Sequence, residues 1–435
     1  MAQIKSSLVF TAILLCALRV CAQEATPDYK QRVLESSEID FLTSYYSQDG
    51  GNAAVTGGRG TEELSDATAT IIVSIPLNDD DVLTVDAGIS AYTSASSSNV
   101  NPFDGNAQGD PFNATTGASR SDTWVNFTGS YSHSSDDRND IWSARLSVSS
   151  EYDYFSFGFG GSYAKLFNEK NTEVNLSTTI YLDKWKLIYP IELRPFMENG
   201  IGEFRSSEIT GNTDYSPNFT ELEKSNRNSY AIGIGLSQIL GKTLQGLVSL
   251  DVIRQQGLLS TPFQRVYFSD IQDSFVENFQ LADDIERLPD TRSKLALGGR
   301  LNWFVSPSVT LRSYYRYYFD DWGIASHTAS VELPIKLSDR FTLYPSYRLY
   351  HQTEADYFAG HEAHLSSEEF YTSDHDLSEY MAHQYGIGIS YTDIFTKIRI
   401  SNLGLKSIDL KFYNYDRDTE FSSIIATGGF KFVFD

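Results

Sequence analysis

Apolar residues alternate with small or polar residues in many segments along the chain. In segments 83–91, 174–182, 230–237 and 385–391, every second residue is apolar and most of the others are Gly, Ser, Thr, Asn or Asp. An alternation with a period of two is typical of β-strands that have one apolar face. No run after the N-terminal region approaches 18 apolar residues, so the pattern predicts a chain built from strands and no membrane-spanning helix.

The alternation predicts sixteen strands, and segment 393–404 is ambiguous enough to leave that count open by two. The predicted strands are 36–47, 66–76, 82–94, 120–131, 140–150, 153–166, 172–182, 225–239, 243–255, 291–304, 308–320, 322–336, 340–352, 380–392, 405–416 and 421–434.

Short and long connections between these strands alternate along the chain. The short ones are 76–81, 167–171, 240–242, 306–308 and 337–340, and the long ones are 95–119, 183–224, 256–290 and 353–379. Such sorting places all short turns at one end of an antiparallel sheet and all long loops at the other. It is typical of outer-membrane barrels, which have short periplasmic turns and long extracellular loops.

The chemistry of the second strand face separates a membrane barrel from a soluble sandwich. Predicted strands run to about 10 residues or more, whereas soluble strands are commonly about 5–6 residues long. Aromatic residues gather near strand ends at 314–319, 344–350 and 430–434, as in the girdles of membrane barrels. We therefore predict an all-β, transmembrane, antiparallel up-and-down barrel in the outer membrane, where a closed sheet satisfies every backbone polar group.

Composition and charge limit the classes of function that the chain can have. The chain has 27 Phe, 27 Tyr and 5 Trp, but only 41% hydrophobic residues, which suits a sheet that needs apolar side chains on one face. The formal net charge of −23 argues against a protein that neutralises nucleic-acid phosphates.

The first 22 residues have the features of a secretory signal peptide. Lys5 precedes an apolar run at 8–18, and Val20, Cys21 and Ala22 provide a cleavage region. A lipoprotein with Cys21 as its lipidated residue is the alternative. Cleavage would remove two basic residues and both cysteines, which moves the net charge from −23 to −25. We expect a short periplasmic segment at 23–35 and the barrel at 36–435.

Several segments resemble a known family. Residues 151–154, 160–172, 181–185 and 371–378, with a start near 29–35, are similar to the family filed as domain of unknown function 3570. The resemblance implies an outer-membrane barrel of Bacteroidota or some proteobacteria, without an agreed activity. Relatives tend to be encoded beside a small lipoprotein, a flavin-transferring enzyme and a thioredoxin-like protein. The resemblance therefore further implies a lipoprotein or a redox protein of these kinds as a partner.

In such a barrel, charged residues that alternate with the apolar set should face the lumen. The basic ones are Arg145, Lys294, Arg300, Arg312, Arg316, Lys336, Arg348, Lys411 and Lys431, and the acidic ones are Asp86, Asp251, Glu332 and Asp409. A basic surplus would favour anions. The alternative is that these charges pair across strands and stiffen the sheet.

A second cluster lies in the last long loop. His361, His364 and His375 are mixed there with many acidic residues, and imidazole with carboxylate suits divalent transition metals. The spacing is not that of a His-Glu-x-x-His metalloprotease. A solvated acidic loop without metal is the alternative, and no other cofactor is expected.

These observations leave two classes of function. The first is a conduit for small anionic solutes or cofactors, gated by the long extracellular loops. The second is a closed scaffold that binds a lipoprotein or an exported redox partner. The sequence shows no glycine-framed nucleophile or oriented base, so we predict no enzyme and no catalytic residue. Other expected contacts are outer-membrane lipid and, during biogenesis, the barrel-assembly machinery.

Overall fold

A computed structural model describes residues 32–93, 122–201 and 206–434, so the predicted signal peptide and loop 95–119 lie outside the described residues. The fold is a closed antiparallel β-barrel. Its sixteen strands are β1 (Ser37–Gly50), β2 (Leu64–Pro76), β3 (Asp81–Tyr92), β4 (Asp122–Ser134), β5 (Asp140–Ser150), β6 (Tyr154–Phe167), β7 (Thr172–Trp185), β8 (Asn226–Gly241), β9 (Leu244–Gly257), β10 (Thr291–Ser306), β11 (Val309–Asp320), β12 (Ala325–Glu332, continued by Ile335–Lys336), β13 (Phe341–Leu343, continued by Ser346–Gln352), β14 (Tyr380–Thr392), β15 (Leu403–Arg417) and β16 (Phe421–Phe434).

The barrel closes between its first and last strands. Each strand pairs with its neighbours in the chain, and β1 also pairs with β16 over the full length from Ser37 opposite Phe434 to Gly50 opposite Phe421. Closure leaves no barrel strand with an unpaired edge, which is the condition for a sheet to lie in lipid. The predicted fold class and strand count are thus confirmed.

Two of the predicted strands are interrupted by proline. The ladder breaks at Pro334 in β12 and at Pro345 in β13, because proline has no backbone N–H to donate. The ambiguous segment 393–404 forms a turn at the periplasmic end, in which Arg399 and Ile400 pair with the start of β15. It adds no further barrel strand.

The two faces of the barrel differ as the alternation predicts. Outward side chains are apolar and exposed at the molecular surface, among them Phe127, Leu146, Ile232, Val248 and Ile387. Their surroundings in the outer membrane are lipid, and the chain crosses that membrane as a multi-pass barrel. No helix in the described part of the chain is long and apolar enough to span a membrane.

The long loops fold together at the extracellular end. We call residues 51–63, 186–201, 206–225, 258–290 and 353–379 the cap. The cap contains a three-stranded sheet (Ile209–Gly211, Ser274–Val276 and Phe279–Gln280) and a two-stranded sheet (Arg265–Val266 and Asp284–Ile285). Its buried apolar core includes Leu193, Phe279, Leu281, Ala282 and Ile285, so the cap is a packed body.

Candidate functional site: a luminal arginine recess beneath the cap

A recess of about 590 Å³ lies on the luminal wall of β10 to β14. Most of its lining comes from alternate residues of these strands: Arg300, Asn302, Arg312, Tyr314, Ser330, Glu332, Ser346, Arg348 and Gln384. Ser313, Val331 and Tyr347 also border it. Other residues at the intervening positions, such as Leu301, Tyr315 and Tyr385, are exposed on the outer face. The alternation of side chains along each strand therefore directs three of the arginines that were predicted to be luminal, Arg300, Arg312 and Arg348, toward one recess.

Two arginines near this wall are partly neutralised. Arg312 Nη1 is 2.8 Å from Glu332 Oε1, and Lys411 Nζ is 4.0 Å from Glu332 Oε2. Arg316 is 3.9 Å from Asp251 on β9. These contacts fit the interpretation that luminal charges pair across strands.

Arg300 and Arg348 differ from these residues. Among the described residues, no carboxylate lies within ion-pair distance of either guanidinium. Arg300 lies 5.9 Å from the ring centroid of Tyr314, and Arg348 is among the recess residues. The recess therefore holds two positive charges without an acidic partner in that part of the chain.

The other predicted luminal cations lie elsewhere. Arg145 donates to Thr179 Oγ1 at 3.1 Å, and Lys336 is 3.1 Å from Asp339 in a periplasmic turn. Lys294 is placed opposite Asp320 of β11 in the strand register. None of these three belongs to the recess.

The sequence interpretation missed acidic residues on the first strand. Lys431 Nζ is 2.7 Å from Glu38 and 3.6 Å from Asp40. Both acids alternate with the outward Ile39 and Phe41, so the same period of two could have found them. Including them reduces the basic surplus and leaves Arg300 and Arg348 as the distinctive charges.

Water can reach the barrel interior. The Arg312 side chain keeps 51% of its exposed area and Asp251 keeps 43%. Side chains that filled the lumen would bury these groups. A wide interior is expected for sixteen strands.

The cap spans the extracellular mouth. The loop after β1 contributes Val55, whose carbonyl accepts a hydrogen bond from Arg265 Nη1 at 3.1 Å. Arg265 lies in the loop after β9, and β1 and β9 are eight strands apart in a ring of sixteen. A contact between their loops therefore connects opposite sides of the barrel.

A buried ion pair holds this crossing point. Arg265 also donates to both oxygens of Glu192, at 2.6 and 3.1 Å, and both side chains are fully buried. The Coulomb attraction of Glu192 raises the pKa of Arg265 against the opposing effect of burial. The loops after β1, β7 and β9 are thus joined through one guanidinium.

The last long loop attaches the cap to the barrel rim. Arg417 at the end of β15 is 2.6 Å from Asp376. Gln352 at the end of β13 donates to the carbonyls of Asp376 and Ser378 at 2.9 and 2.7 Å. Loop 353–379 therefore lies against the rim.

The cap buries several acidic side chains. Glu286 accepts hydrogen bonds from Thr372 Oγ1 and Thr261 N, each at 2.6 Å, and burial raises its pKa to about 8. Burial similarly raises the pKa of Asp283 to about 7 and that of Asp374 to about 6. The folded cap consequently holds protons that an open loop would release.

The three histidines considered for metal binding do not meet at one point. His364 has both ring nitrogens occupied, by Glu368 at 2.6 Å and the Thr372 carbonyl at 2.9 Å. His375 packs edge-on against the Phe358 ring. His361 contacts the Gly57 carbonyl through Nδ1 at 3.0 Å.

A different acidic group gathers near the start of β4. Asp122, Glu151 and Asp153 place ligand atoms within 4.8 Å of one another, the one such group of three or more in the part of the chain that the structure describes. Burial raises the pKa of Glu151 and Asp153, and the negative charge of Asp153 adds to the shift at Glu151.

Comparisons with known proteins identify a family and several solved structures of low similarity. A family model described as "Protein of unknown function (DUF3570)" matches residues 5–413, and no curated protein matches. Similar solved structures include a bacterial polysaccharide outer-membrane secretin, at 12% identity and a TM-score of 0.43, covering 92% of this chain and 99% of that one. A BenF-like porin from Pseudomonas fluorescens Pf-5 has 10% identity and a TM-score of 0.38, with 92% and 100% coverage. The outer-membrane protein OpdK from Pseudomonas aeruginosa has 8% identity and a TM-score of 0.35, with 92% and 99% coverage.

Proposed function

The chain belongs to the DUF3570 family of proteins of unknown function, and we propose that it is an outer-membrane conduit for small anionic solutes. In this proposal the arginine recess attracts the solute within the lumen. The cap acts as the gate at the extracellular mouth. No residue is assigned a catalytic role.

The observation that carries the proposal is the pair Arg300 and Arg348 in a water-accessible recess. A guanidinium stays charged at all ordinary pH values and presents a planar set of donors that suits carboxylate or phosphate. Charges that serve only to stiffen a sheet are expected to be paired, as Arg312 is with Glu332. The recess volume of about 590 Å³ falls within the range of small-molecule sites.

Reversal potentials in planar bilayers test this function. Under a KCl gradient we expect wild-type protein to prefer Cl⁻ over K⁺, and the variant Arg300→Gln/Arg348→Gln to lose most of that preference. The double variant Arg312→Gln/Glu332→Gln removes one charge of each sign from the same wall. It should leave the sign of the reversal potential unchanged.

Because the cap spans the mouth, the same recordings should include a variant with a weakened cap, Glu192→Gln. Cation preference in wild type would contradict the anion conduit. So would equal selectivity in wild type and the Arg300/Arg348 variant. Absence of conductance in all variants, including Glu192→Gln, would favour a closed scaffold.

The scaffold remains a second candidate because the cap is a packed body presented at the surface. It could display a binding surface to a small lipoprotein or to a flavin-carrying or thioredoxin-like partner. Purification of the native complex in mild detergent, followed by identification of co-eluting proteins, tests this function. A conducting monomer without partners would exclude it.

A further inference from the structure

One imidazole nitrogen in the cap has no hydrogen-bond partner although it is buried. The side chain of His361 is 8% exposed, and its Nε2 accepts or donates no hydrogen bond. A buried polar atom without a partner costs free energy, and native structures rarely tolerate one without a reason. His361 therefore calls for an explanation that His364, with both nitrogens bonded, does not.

The other nitrogen of this ring fixes its orientation. Nδ1 lies 3.0 Å from the carbonyl oxygen of Gly57, and a carbonyl can only accept, so Nδ1 carries the proton. In the neutral ring Nε2 then presents a lone pair. An Nδ1–H bonded to a backbone carbonyl, with a bare Nε2, is the usual arrangement of a metal-binding histidine.

A carboxylate oxygen faces that lone pair. Glu362 Oε1 is 3.3 Å from His361 Nε2, yet the two atoms do not meet in hydrogen-bond geometry. Metal–ligand bonds of about 2.0–2.1 Å in a tetrahedral zinc site place two ligands about 3.3–3.4 Å apart. The observed separation equals that of two ligands on one tetrahedral ion.

The backbone and a neighbouring amide hold the carboxylate in this position. Glu362 has φ of +54°, in the left-handed region that is uncommon for a residue other than glycine, asparagine or aspartate. Gln280 Nε2 donates to Glu362 Oε1 at 2.9 Å. Glu362 is 37% exposed, which gives an ion a path from solvent.

We propose that His361 Nε2 and Glu362 form a binding site for a divalent transition metal of the zinc type, with water as the remaining ligands. Imidazole and carboxylate ligands suit Zn²⁺ and Cu²⁺. His361 contacts the loop after β1 through Gly57 and packs at a tilt against the ring of Tyr267 in the loop after β9, with ring centroids 4.8 Å apart. A bound ion would clamp three loops of the cap together.

Titration calorimetry with ZnCl₂ on the full chain in detergent tests the site. We expect one equivalent of zinc to bind wild type, and the affinity to fall at least about tenfold in His361→Asn and in Glu362→Gln. Asparagine keeps a donor for the Gly57 carbonyl, and glutamine keeps an acceptor for Gln280. The control His351→Gln alters an exposed histidine 3.8 Å from Glu379 and should not change the affinity.

A second measurement guards against misfolded variants. Cu²⁺ bound to wild type should show nitrogen hyperfine coupling from one imidazole in electron paramagnetic resonance spectra. The site is excluded if wild type binds no zinc, if His361→Asn binds it equally well, or if the copper spectrum lacks nitrogen coupling. Selectivity changes in the Arg300/Arg348 variant do not depend on zinc, so the two proposals fail separately.

Discussion

Arg265 and Glu192 form the most deeply buried ion pair described in the cap, with both side chains inaccessible to solvent. A buried pair gains little over apolar residues of the same size, but removal of one partner leaves an uncompensated charge in a medium of low polarity. The pair therefore matters most for where the loops meet. It selects the arrangement in which the loops after β1, β7 and β9 converge on one guanidinium.

Glu192→Gln should destabilise the cap by about 3–5 kcal/mol because Arg265 would remain charged and buried without its counter-ion. Limited proteolysis should then cut segments 186–201 and 258–290 much faster, while the barrel strands stay protected. The matched control is Lys224→Gln, which removes an exposed pair with Asp290 and should change stability by less than about 1 kcal/mol. Equal cleavage rates in the two variants would show that the pair does not hold the cap.

Orientation of single residues could be predicted from the sequence only where a strand imposes it. The period of two assigned Arg300 and Arg348 to the luminal face, because their neighbours Leu301 and Tyr347 are apolar and outward. It could not show that Glu332 neutralises Arg312, since that contact depends on the register between β11 and β12. Nor could it show that the hydrogen bonding of His361 differs from that of His364, because both lie in a loop, where side-chain orientation follows no regular period.

At the scale of elements, strands were predictable and the cap was not. Each strand repeats one local rule, so its presence follows from residues close in sequence. The predicted bounds differ from the observed ones by up to three residues, and the ladder breaks where proline removes a donor, at Pro334 and Pro345. The cap depends on contacts such as that between Val55 and Arg265, which are 210 residues apart. The sequence therefore predicted the long loops 183–224, 256–290 and 353–379, but not that their described residues pack into one body with the loop after β1.

Gly57 is one of the glycines that allow the loop after β1 to dock on the rest of the cap. Gly57 has φ of +71°, and an added Cβ would lie 2.5 Å from the Tyr267 ring. A side chain in this region costs about 1–2 kcal/mol before any clash is counted. The Gly57 carbonyl also accepts a hydrogen bond from His361. Both the contact with the Tyr267 ring and this hydrogen bond require the backbone of Gly57 to lie close to the other cap loops.

Gly57→Ala should release segment 51–63 from the cap. Hydrogen exchange should speed up at the amides of residues 53, 56, 57 and 58, which are hydrogen-bonded within this turn, with little change in β1 and β2. Gly51→Ala is the matched control, because its nearest neighbour is an oxygen of the flexible Glu420 side chain at 3.3 Å. If exchange in the turn is the same for both variants, close approach at Gly57 is not required.

At the scale of the whole molecule, the net charge of −23 describes the exterior more than the lumen. Acidic residues concentrate in the cap and turns, and the recess carries two arginines, Arg300 and Arg348, without an acidic partner among the described residues. Part of the acidic surplus is buried within the cap at Asp284 and Glu286. Because burial raises the pKa of these carboxyls, we expect the stability of the folded cap to depend on pH.

The direction of this coupling follows from Glu286. Its pKa is raised to about 8 in the folded cap by burial and by the negative charge of Asp374, whereas an exposed glutamate has a pKa near 4.3. The folded cap thus binds the proton more tightly than an open cap. The stability that Glu286 contributes to the cap is highest below about pH 4.3, falls by at most about 1.4 kcal/mol per pH unit as pH rises, and is lost above about pH 8.

Cap opening should accordingly be more frequent at pH 8.5 than at pH 5.5. Single-channel recordings in planar bilayers should show a higher open probability at the higher pH. Proteolysis of the cap should also be faster at that pH. Glu286→Gln cannot ionise and keeps hydrogen-bonding groups toward Thr261 and Thr372, so it should weaken the dependence between pH 6 and 8. Glu354→Gln, an exposed change in the last long loop, should leave the dependence intact. Opening that decreases with pH, or a Glu286→Gln profile identical to wild type, would show that this buried carboxyl does not control the mouth.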